Sequence, residues 1–475
     1  MGEEIDKTHF AAADFASFAA RLRRETDILR GWFADGTLCD GEYRWGFELE
    51  AWLLDHGFHP SPVNAEFLAT LGDADVVPEL SRFNVELNTR PLDFAPHALS
   101  QGRAALEALW RRCNACAHGM DTRLVMIGSL PTIRDADLSL ANISPLKRYY
   151  ALNHELLKRN RGRPLDIDIG GREHLATRRA DVMLESAATS FQLHFQVPVS
   201  LAHLYYNASQ VVSAPLVAAA ANSPLLFDHL LWEETRIPLF EQSIAGATGA
   251  AARRPRVSFG DGFLVDSLME CFDDNLADYP VLLPILFDDD ERALRHLRLH
   301  NGTLWRWNRP LVGFDGERPH VRIEHRPLPA GPSFVDLFAN AAVYLGAVHE
   351  WVQAERLPAL DAASARANFY AAARDGLDAE LVHDGRREAA SRWLLETLLP
   401  DADAGLARLG LAAAERDRYL GVVAARVASG RTGAAWQRAT YLSGGRDGLG
   451  LMAAYCAHQA SGAPVHEWPL EGVRG

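Results

Sequence analysis

The sequence has few cysteines and no long apolar run, and both absences narrow the class of protein. The 475-residue chain contains an odd, sparse set of cysteines: Cys39, Cys113, Cys116, Cys271 and Cys456. Such a set favours free thiols in a reducing compartment over a disulfide framework. There is no uninterrupted apolar stretch of about 18 residues and no basic leader followed by an apolar core, so we expect neither a membrane span nor a signal peptide. The sequence therefore predicts a cytoplasmic protein that does not use a membrane.

An excess of positive charge is also absent. The chain has 48 Lys and Arg against 62 Asp and Glu, a formal net charge of −14. This argues against nucleic acid or an anionic membrane surface as the main partner. An anionic small molecule is not excluded, because a local group of arginines can bind an anion inside an acidic protein.

The common nucleotide-binding and hydrolase motifs are missing as well. The sequence contains no GxxxxGK[ST] phosphate loop, no convincing GxGxxG after a strand, no HExxH, no GxSxG and no pair of CxxC motifs. The single Cys113–Cys116 pair shares a helical stripe with Leu106 and Leu109, which predicts a core helix and not a metal site. Any nucleotide must therefore bind through metal ions and cationic side chains.

Four segments of the chain alternate between apolar and polar residues, at 46–55, 79–89, 191–197 and 320–326. Successive side chains of a strand point to opposite faces. The polar faces carry Glu48 and Glu50; Asn84, Glu86 and Asn88; Gln192, His194 and Gln196; and Arg322, Glu324 and Arg326. A solvated sheet face more often carries Thr, Ser and Lys. These faces instead predict the floor of a site for cations and phosphate, although plain solvated strand surface is the alternative for each segment alone.

Convergence of these faces in one sheet would bring together Glu48, Glu50, Glu86 and Glu324. Two like charges about 4 Å apart repel by roughly 4 kcal/mol at an effective dielectric constant near 20. Several carboxylates on a partly dry floor therefore require cations or protons. Clusters of oxygen ligands favour Mg²⁺ or Mn²⁺, and Mg²⁺ commonly completes its coordination with substrate phosphates.

The remainder of the chain is predicted to be mainly helical. Apolar periodicity predicts helices over 8–35, 145–160, 202–221 and 225–240 and over a long segment ending near 119, and it predicts a polar loop at 161–180. The polar strands lie far apart in sequence, so we predict one catalytic domain over residues 1–355 and a helical C-terminal portion over 356–475 packed on it. The fold class is α+β, with an antiparallel or mixed sheet, one polar face and helices behind the other.

Several of these motifs resemble those of the glutamate–cysteine ligases of the plant and proteobacterial type and of the related carboxylate–amine ligases. The resemblance spans roughly residues 40–350. It is carried by Gly46-x-Glu48-x-Glu50, Asn84-Val-Glu86-Leu-Asn-Thr89, Ser190-Phe-Gln192-Leu-His194, Arg148-Tyr149, the stretch from His300 to Arg309, and Glu324-His-Arg326 followed by Gly331-Pro332. Asn84 stands where the family usually has Gln, and His325-Arg326-Pro327 replaces a small acidic loop, so the two substrates stay open.

The resemblance implies a glutamine-synthetase-like fold, in which a curved antiparallel sheet forms the active-site floor. It implies ATP and Mg²⁺, with Mn²⁺ as a possible substitute, and an acyl phosphate that links glutamate's γ-carboxylate to cysteine or another amine. The metal ligands implied are Glu48, Glu50, Glu86 and Glu324, and the catalytic residues are Arg326 and Glu48. Cofactor and substrate contacts are assigned to Gln192 and His194 and to one or more of Arg309, Arg148 and Arg236.

Two other interpretations remain at this point. A glycoside hydrolase would use two carboxylates without metal or ATP, and the arginines would not help it. A degenerate family member would bind ligand without turnover, which the complete set of acidic residues argues against. In each case the expected partners are small molecules, amino acids for the ligase, and the sequence does not predict an oligomeric state.

Overall fold

The computed structural model describes residues 4–5, 7–244, 254–260 and 262–470. The helices are α1 Ala12–Asp35, α2 Asn64–Leu71, α3 Ala98–His118, α4 Lys147–Arg159, α5 Ala202–Ala220, α6 Arg236–Ser243, α7 Met269–Asp278, α8 Arg295–Gly302, α9 Phe334–Gln353, α10 Ala362–Asp375, α11 Ala390–Trp393, α12 Leu399–Arg408, α13 Ala413–Ser429, α14 Gly433–Ser443 and α15 Gly448–Ser461. The strands are β1 Arg44–Leu54, β2 Val76–Pro78, β3 Asn84–Asn88, β4 Leu92–Asp93, β5 Arg123–Val125, β6 Leu165–Gly170, β7 His174–Arg179, β8 Phe191–Gln196, β9 Leu225–Leu226, β10 His229–Leu230, β11 Val257–Ser258, β12 Trp305–Arg306, β13 Asn308–Asp315, β14 Arg318–His325, β15 Glu380–His383 and β16 Arg386–Ala389.

The four alternating segments lie in one curved antiparallel sheet. Its strand order is β13-β14-β8-β1-β3-β2, and β4 and β5 also pair with β1. All of these pairs are antiparallel. The predicted α+β class with a glutamine-synthetase-like sheet is confirmed.

Helix α9 covers the apolar face of the sheet. The ring of Phe338 lies 5.2 Å from that of Phe47 in β1 and 6.2 Å from that of Phe191 in β8. Both strand residues are fully buried, as is most of α9. Aromatic pairs at this spacing add to the stabilisation that comes from burying apolar surface. These contacts therefore hold the sheet against its helical layer. The opposite, polar face is thereby left for ligands.

Two local predictions are wrong. Residues 161–180 form the β6–β7 hairpin and not a loop, because Leu165, Ile167 and Ile169 alternate as buried residues between exposed acidic ones. Residues 225–240 are not one helix. A tight turn with positive φ at Phe227 and Asp228 joins β9 to β10, and α6 begins only at Arg236.

The C-terminal helices pack on the rest of the chain. Helix α12 approaches α9 so closely that a Cβ on Gly405 would lie 2.7 Å from the carbonyl carbon of Gly346. Gln459 of α15 donates a 2.7 Å hydrogen bond to the carbonyl of Pro332, at the end of the loop that follows β14. This portion also contains the β15–β16 hairpin. The boundary at residue 355 stays a prediction. Among the described helices, none is long and apolar enough to cross a membrane.

Candidate active site

The polar face of the sheet forms a continuous floor. In register, Glu48 lies opposite Gln192 and Glu50 lies opposite Glu86, while His194 lies opposite Glu324. Alternation in each strand puts all of these side chains on the same face. The structure thus brings together the acidic, amide and imidazole side chains that were expected to converge, whereas their chemical roles stay predictions.

One cluster contains Glu48, His194 and Glu324, each with a ligand atom within 4.8 Å of the others. Nε2 of His194 lies 3.1 Å from Oε1 of Glu48 and 3.9 Å from Oε1 of Glu324. Burial alone would raise the pKa of Glu48, but the close contact with His194 lowers it to about 2. Burial likewise opposes ionisation of Glu324, yet Arg309 and Arg326 hold its pKa well below the usual range.

The second cluster contains Glu50, Glu79 and Glu86, again with ligand atoms within 4.8 Å of one another. Burial and the charge of Glu48 raise the pKa of Glu86 to about 7. Burial and the neighbouring Glu86 and Glu50 raise the pKa of Glu79 well above its usual range. Burial also raises the pKa of Glu50, although Arg236 and Arg326 partly offset the effect. This cluster therefore holds more negative charge than its surroundings neutralise.

Both clusters fit divalent cations by their donor atoms. Within the described part of the chain they are the groups of three or more His or carboxylate side chains close enough to share an ion. The second cluster is purely carboxylate, which suits Mg²⁺ or Mn²⁺. A cation would offset the burial that raises the pKa values of all three and the repulsion that adds to it at Glu79 and Glu86.

His194 can donate a hydrogen bond to a ligand through Nε2. Its Nδ1 accepts a 3.1 Å hydrogen bond from Nε of Arg322, so in the neutral ring the proton resides on Nε2. This Nε2 is buried, and its nearest carboxylate oxygen among the described residues is Oε1 of Glu48 at 3.1 Å, a contact that lacks good hydrogen-bond alignment. The arrangement suits donation to a phosphate oxygen; coordination of a metal through Nε2 would require the ring to give up the bond from Arg322.

Two of the candidate arginines serve the floor itself. Arg309 donates two parallel hydrogen bonds to the carboxylate of Glu324, of 2.7 Å from Nε and 2.9 Å from Nη2. Arg326 donates to the same carboxylate at 3.0 Å and also to the side-chain oxygen of Gln192. Gln192 in turn donates a 2.9 Å bond to Glu50, which links the two clusters. Arg326 thus lies between both groups of carboxylates.

The other two candidate arginines differ in setting. Arg236 is 4% exposed and donates at 3.0 Å to both Glu234 and the carbonyl of Pro327, immediately after Arg326. It therefore braces the loop that carries Arg326. Arg148 lies at the start of α4, with its guanidinium 4.7 Å from the ring centroid of Tyr149, and it lines the larger cavity described next.

Two cavities open onto the floor. The larger, about 560 Å³, lies over Glu48, Glu86, Gln192 and Arg326 and extends towards β13 and α8. The smaller, about 280 Å³, lies at the end of the floor marked by Arg44, Gln196 and His320. Glu48 and Arg322 line both, so the two spaces meet above the Glu48–His194–Glu324 cluster.

The structure adds residues that the sequence did not predict. Glu79 was counted in a strand, but the chain turns before β3 begins at Asn84, and this turn places its carboxylate beside Glu86. Glu185 follows the β6–β7 hairpin, and burial with the charge of Glu50 raises its pKa to about 8. Arg322, treated as a supporting residue from the sequence, faces both cavities.

Comparison with known proteins agrees with this geometry. The family model of glutamate-cysteine ligase family 2 matches residues 44–457. The chain belongs to this family. Membership confirms the prediction of a carboxylate–amine ligase and disfavours the glycoside hydrolase. No curated protein matches the chain.

Solved structures show the same fold at low sequence identity. Glutamate–cysteine ligase from Francisella tularensis, crystallised in complex with AMP, has a TM-score of 0.53 and 14% identity, with 91% of each chain covered. A bifunctional glutathione synthetase from Pasteurella multocida has a TM-score of 0.52 and 13% identity, with 89% of this chain and 53% of that chain covered. At such identities the likeness establishes the fold of this family member, and its substrates must be argued from its own residues.

Proposed function

We propose that this protein is an ATP- and Mg²⁺-dependent ligase that activates a carboxylate as an acyl phosphate and joins it to an amine. The γ-carboxylate of glutamate is the first candidate for the acid, and cysteine or another amine is the acceptor. The observation that carries the proposal is the pair of carboxylate clusters on one sheet floor, with the buried guanidinium of Arg326 between them. Such a floor suits a reaction in which phosphate and carboxylate charges must be held together.

The metal ligands follow from the two clusters. Glu50, Glu79 and Glu86 would hold one Mg²⁺, and Glu48 and Glu324 a second, with Mn²⁺ as a substitute. The bound cations would supply the positive charge that neutralises the transferring phosphoryl group. His194, through Nε2, would donate to a phosphate oxygen.

The nucleotide is placed at the Arg322 end of the floor. Arg322 is a half-buried cation for which no ion pair is found among the described residues, and burial lowers its pKa. A Cβ on Gly313 would clash with Nη1 of Arg322 and would lie 2.6 Å from Nε2 of His320. Glycine at this position therefore leaves room for both side chains. We propose that Arg322 binds the ATP phosphates and that the smaller cavity takes the nucleoside. The AMP complex of the Francisella tularensis relative supports a nucleotide site in this fold.

The reaction then runs in the larger cavity. An oxygen of the substrate carboxylate attacks the γ-phosphorus, ADP leaves, and the amine attacks the resulting acyl phosphate, releasing inorganic phosphate. Arg326 stabilises the charge on the transferring group, and preorganised cations of this kind contribute a few kcal/mol to the barrier reduction. Arg148, which lines the larger cavity at the start of α4, is the candidate for binding a substrate carboxylate.

ADP release tests the proposal. The purified protein is incubated with ATP and Mg²⁺ and screened against glutamate and other amino acids in pairs with amines, with the product identified by mass. We expect ADP, phosphate and an amide to appear in equal amounts and to require both substrates. The Arg326→Lys variant should lose turnover, while Arg392→Lys, an exposed helix arginine paired with Glu396, serves as the matched control. Absence of ADP formation with every pair would refute the ligase assignment.

A further inference from the structure

One wall of the larger cavity is apolar, and this wall has no part in the chemistry described above. Leu311 projects from β13 on the same face as Arg309 and lies opposite Arg322 in register. Ile285, Phe287 and Leu299 also line the cavity. All four are only half-buried. Half-exposed apolar side chains facing a concave space are the usual lining of a small-molecule site.

Leu311 is an exception on its own sheet face. Its neighbours across the floor in the same row are Arg322, Gln196 and Arg44, all polar. Two residues along a strand span about 7 Å, so Leu311 stands about 7 Å from Arg309 and its partner Glu324. An apolar group of a substrate could therefore rest on Leu311 while the reacting atoms lie over the carboxylates.

The apolar wall is held in place before any ligand binds. The backbone N–H of Phe287 donates a 3.2 Å hydrogen bond to Nε2 of His296, and Nδ1 of His296 lies 2.5 Å from the carboxylate of Glu25 in α1. The guanidinium of Arg295 covers the ring of Phe287 at 3.9 Å. These contacts tie the 283–287 segment to α8 and α1. Because the wall is already ordered, little conformational entropy is lost when a ligand binds, and the wall can select ligands by the size of their apolar group.

We propose that the amine acceptor of this ligase carries an apolar side chain of several carbons, which packs on Leu311, Ile285, Phe287 and Leu299. This inference rests on the proposed ligase function and narrows its substrate. The single CH₂–SH of cysteine would leave most of the wall exposed. The cavity of about 560 Å³ is within the range of sites for drug-sized ligands, about 300–1,000 Å³, and has room for a longer side chain.

A methylene series tests the inference with the unmodified protein. Glutamate and ATP are held fixed while alanine, 2-aminobutyrate, norvaline, norleucine and cysteine are compared as acceptors. An extra methylene in an apolar pocket changes kcat/KM by roughly 10-fold or more, so we expect a steep rise from alanine to norleucine. A flat series, or cysteine as the best acceptor, would overturn the inference and leave the ligase function standing. Absence of ADP formation with every acceptor here, and with every pair in the screen described under Proposed function, would overturn both.

Variants locate the contact. Leu311→Ser and Ile285→Ser should each lower the norleucine-to-alanine ratio of kcat/KM by about 10-fold. Leu286→Ser is the matched control, because Leu286 is 46% exposed in the same segment and does not line the cavity; its ratio should equal that of the wild type. If Leu311→Ser fails to fold, the wild-type series still decides. A second panel, apolar carboxylic acids with one small amine, should show no such rise, and a rise there would refute the assignment to the amine.

Discussion

The Glu50–Glu79–Glu86 cluster predicts that Mg²⁺ and pH act together on the stability of this protein. Glu86 is 2% exposed, and burial with the charge of Glu48 raises its pKa from 4.5 to about 7. The folded protein therefore holds a proton on Glu86 at a pH where the unfolded chain has lost it. The free energy of unfolding in the absence of metal must fall as the pH rises from about 4.5 to about 7.

The size of this effect follows from the pKa change. A change in the pKa of Glu86 from 4.5 to about 7 corresponds to a loss of about 3 kcal/mol in the free energy of unfolding as the pH rises from below 4.5 to above 7. Above pH 7 Glu86 has lost its proton, and its negative charge is repelled by the neighbouring carboxylates. Mg²⁺ replaces that proton, so it should stabilise the protein strongly at pH 8 and weakly near pH 5.

Thermal unfolding measures the effect. Midpoints are recorded from pH 5 to pH 8 with EDTA or with Mg²⁺. We expect the midpoint in EDTA to fall across this range, the loss to be largely reversed by Mg²⁺, and Glu86→Gln to have a flatter pH profile in EDTA than the wild type. The matched control is Glu66→Gln, at an acidic residue 60% exposed on α2. A wild-type midpoint that does not respond to Mg²⁺ at pH 8, or a Glu86→Gln profile as steep as the wild type, would refute the reasoning.

Three further variants test the rest of the floor. Glu324→Gln should abolish ADP formation and also lower the free energy of unfolding by about 3–5 kcal/mol, seen by denaturant titration, because Arg309 loses its buried counter-charge; unchanged stability would contradict the ion-pair network. Glu79→Gln should weaken Mn²⁺ binding in a spectroscopic titration by at least about 10-fold, and unaltered binding would remove Glu79 from the metal site. Arg322→Ala should raise the KM for ATP more than the KM for either amino-acid substrate, and the opposite pattern would move the nucleotide away from Arg322.

Strand periodicity carried most of the site prediction because alternation is a local property. Glu48, Glu50, Glu86 and Glu324 were placed on one face by counting residues within each segment, and pairing of the strands then brought them together. Residues outside regular strands escaped this reasoning. Glu79 reaches the floor only because the chain turns between Pro78 and Asn84, and no periodicity signals such a turn.

Partnerships between strands were equally hidden from the sequence. Arg309 was a candidate for substrate binding, yet the hairpin around Gly316, at φ 61°, sets the register that pairs it with Glu324. One residue of slip in that turn would send Arg309 to the apolar face. Leu311 was passed over for the same reason, since its place beside the polar floor depends on this register. Sequence patterns therefore predicted which residue types meet, whereas turn geometry decided which of them remain available to a ligand.

The distribution of charge along the floor predicts the order in which the two metal sites fill. Glu324 is already neutralised by Arg309 and Arg326, and Glu48 lies beside His194. In the second cluster burial is the larger cause of the raised pKa values, and repulsion from neighbouring carboxylates adds to it at Glu79 and Glu86. Arg236 and Arg326 only partly offset the effect of burial at Glu50. A divalent cation thus gains most at Glu50, Glu79 and Glu86, which should fill first and without nucleotide. The site at Glu48 and Glu324 should need the phosphates of ATP to complete it, because its arginines repel a free cation. This order is why Glu79→Gln is expected to weaken metal binding in the absence of ATP.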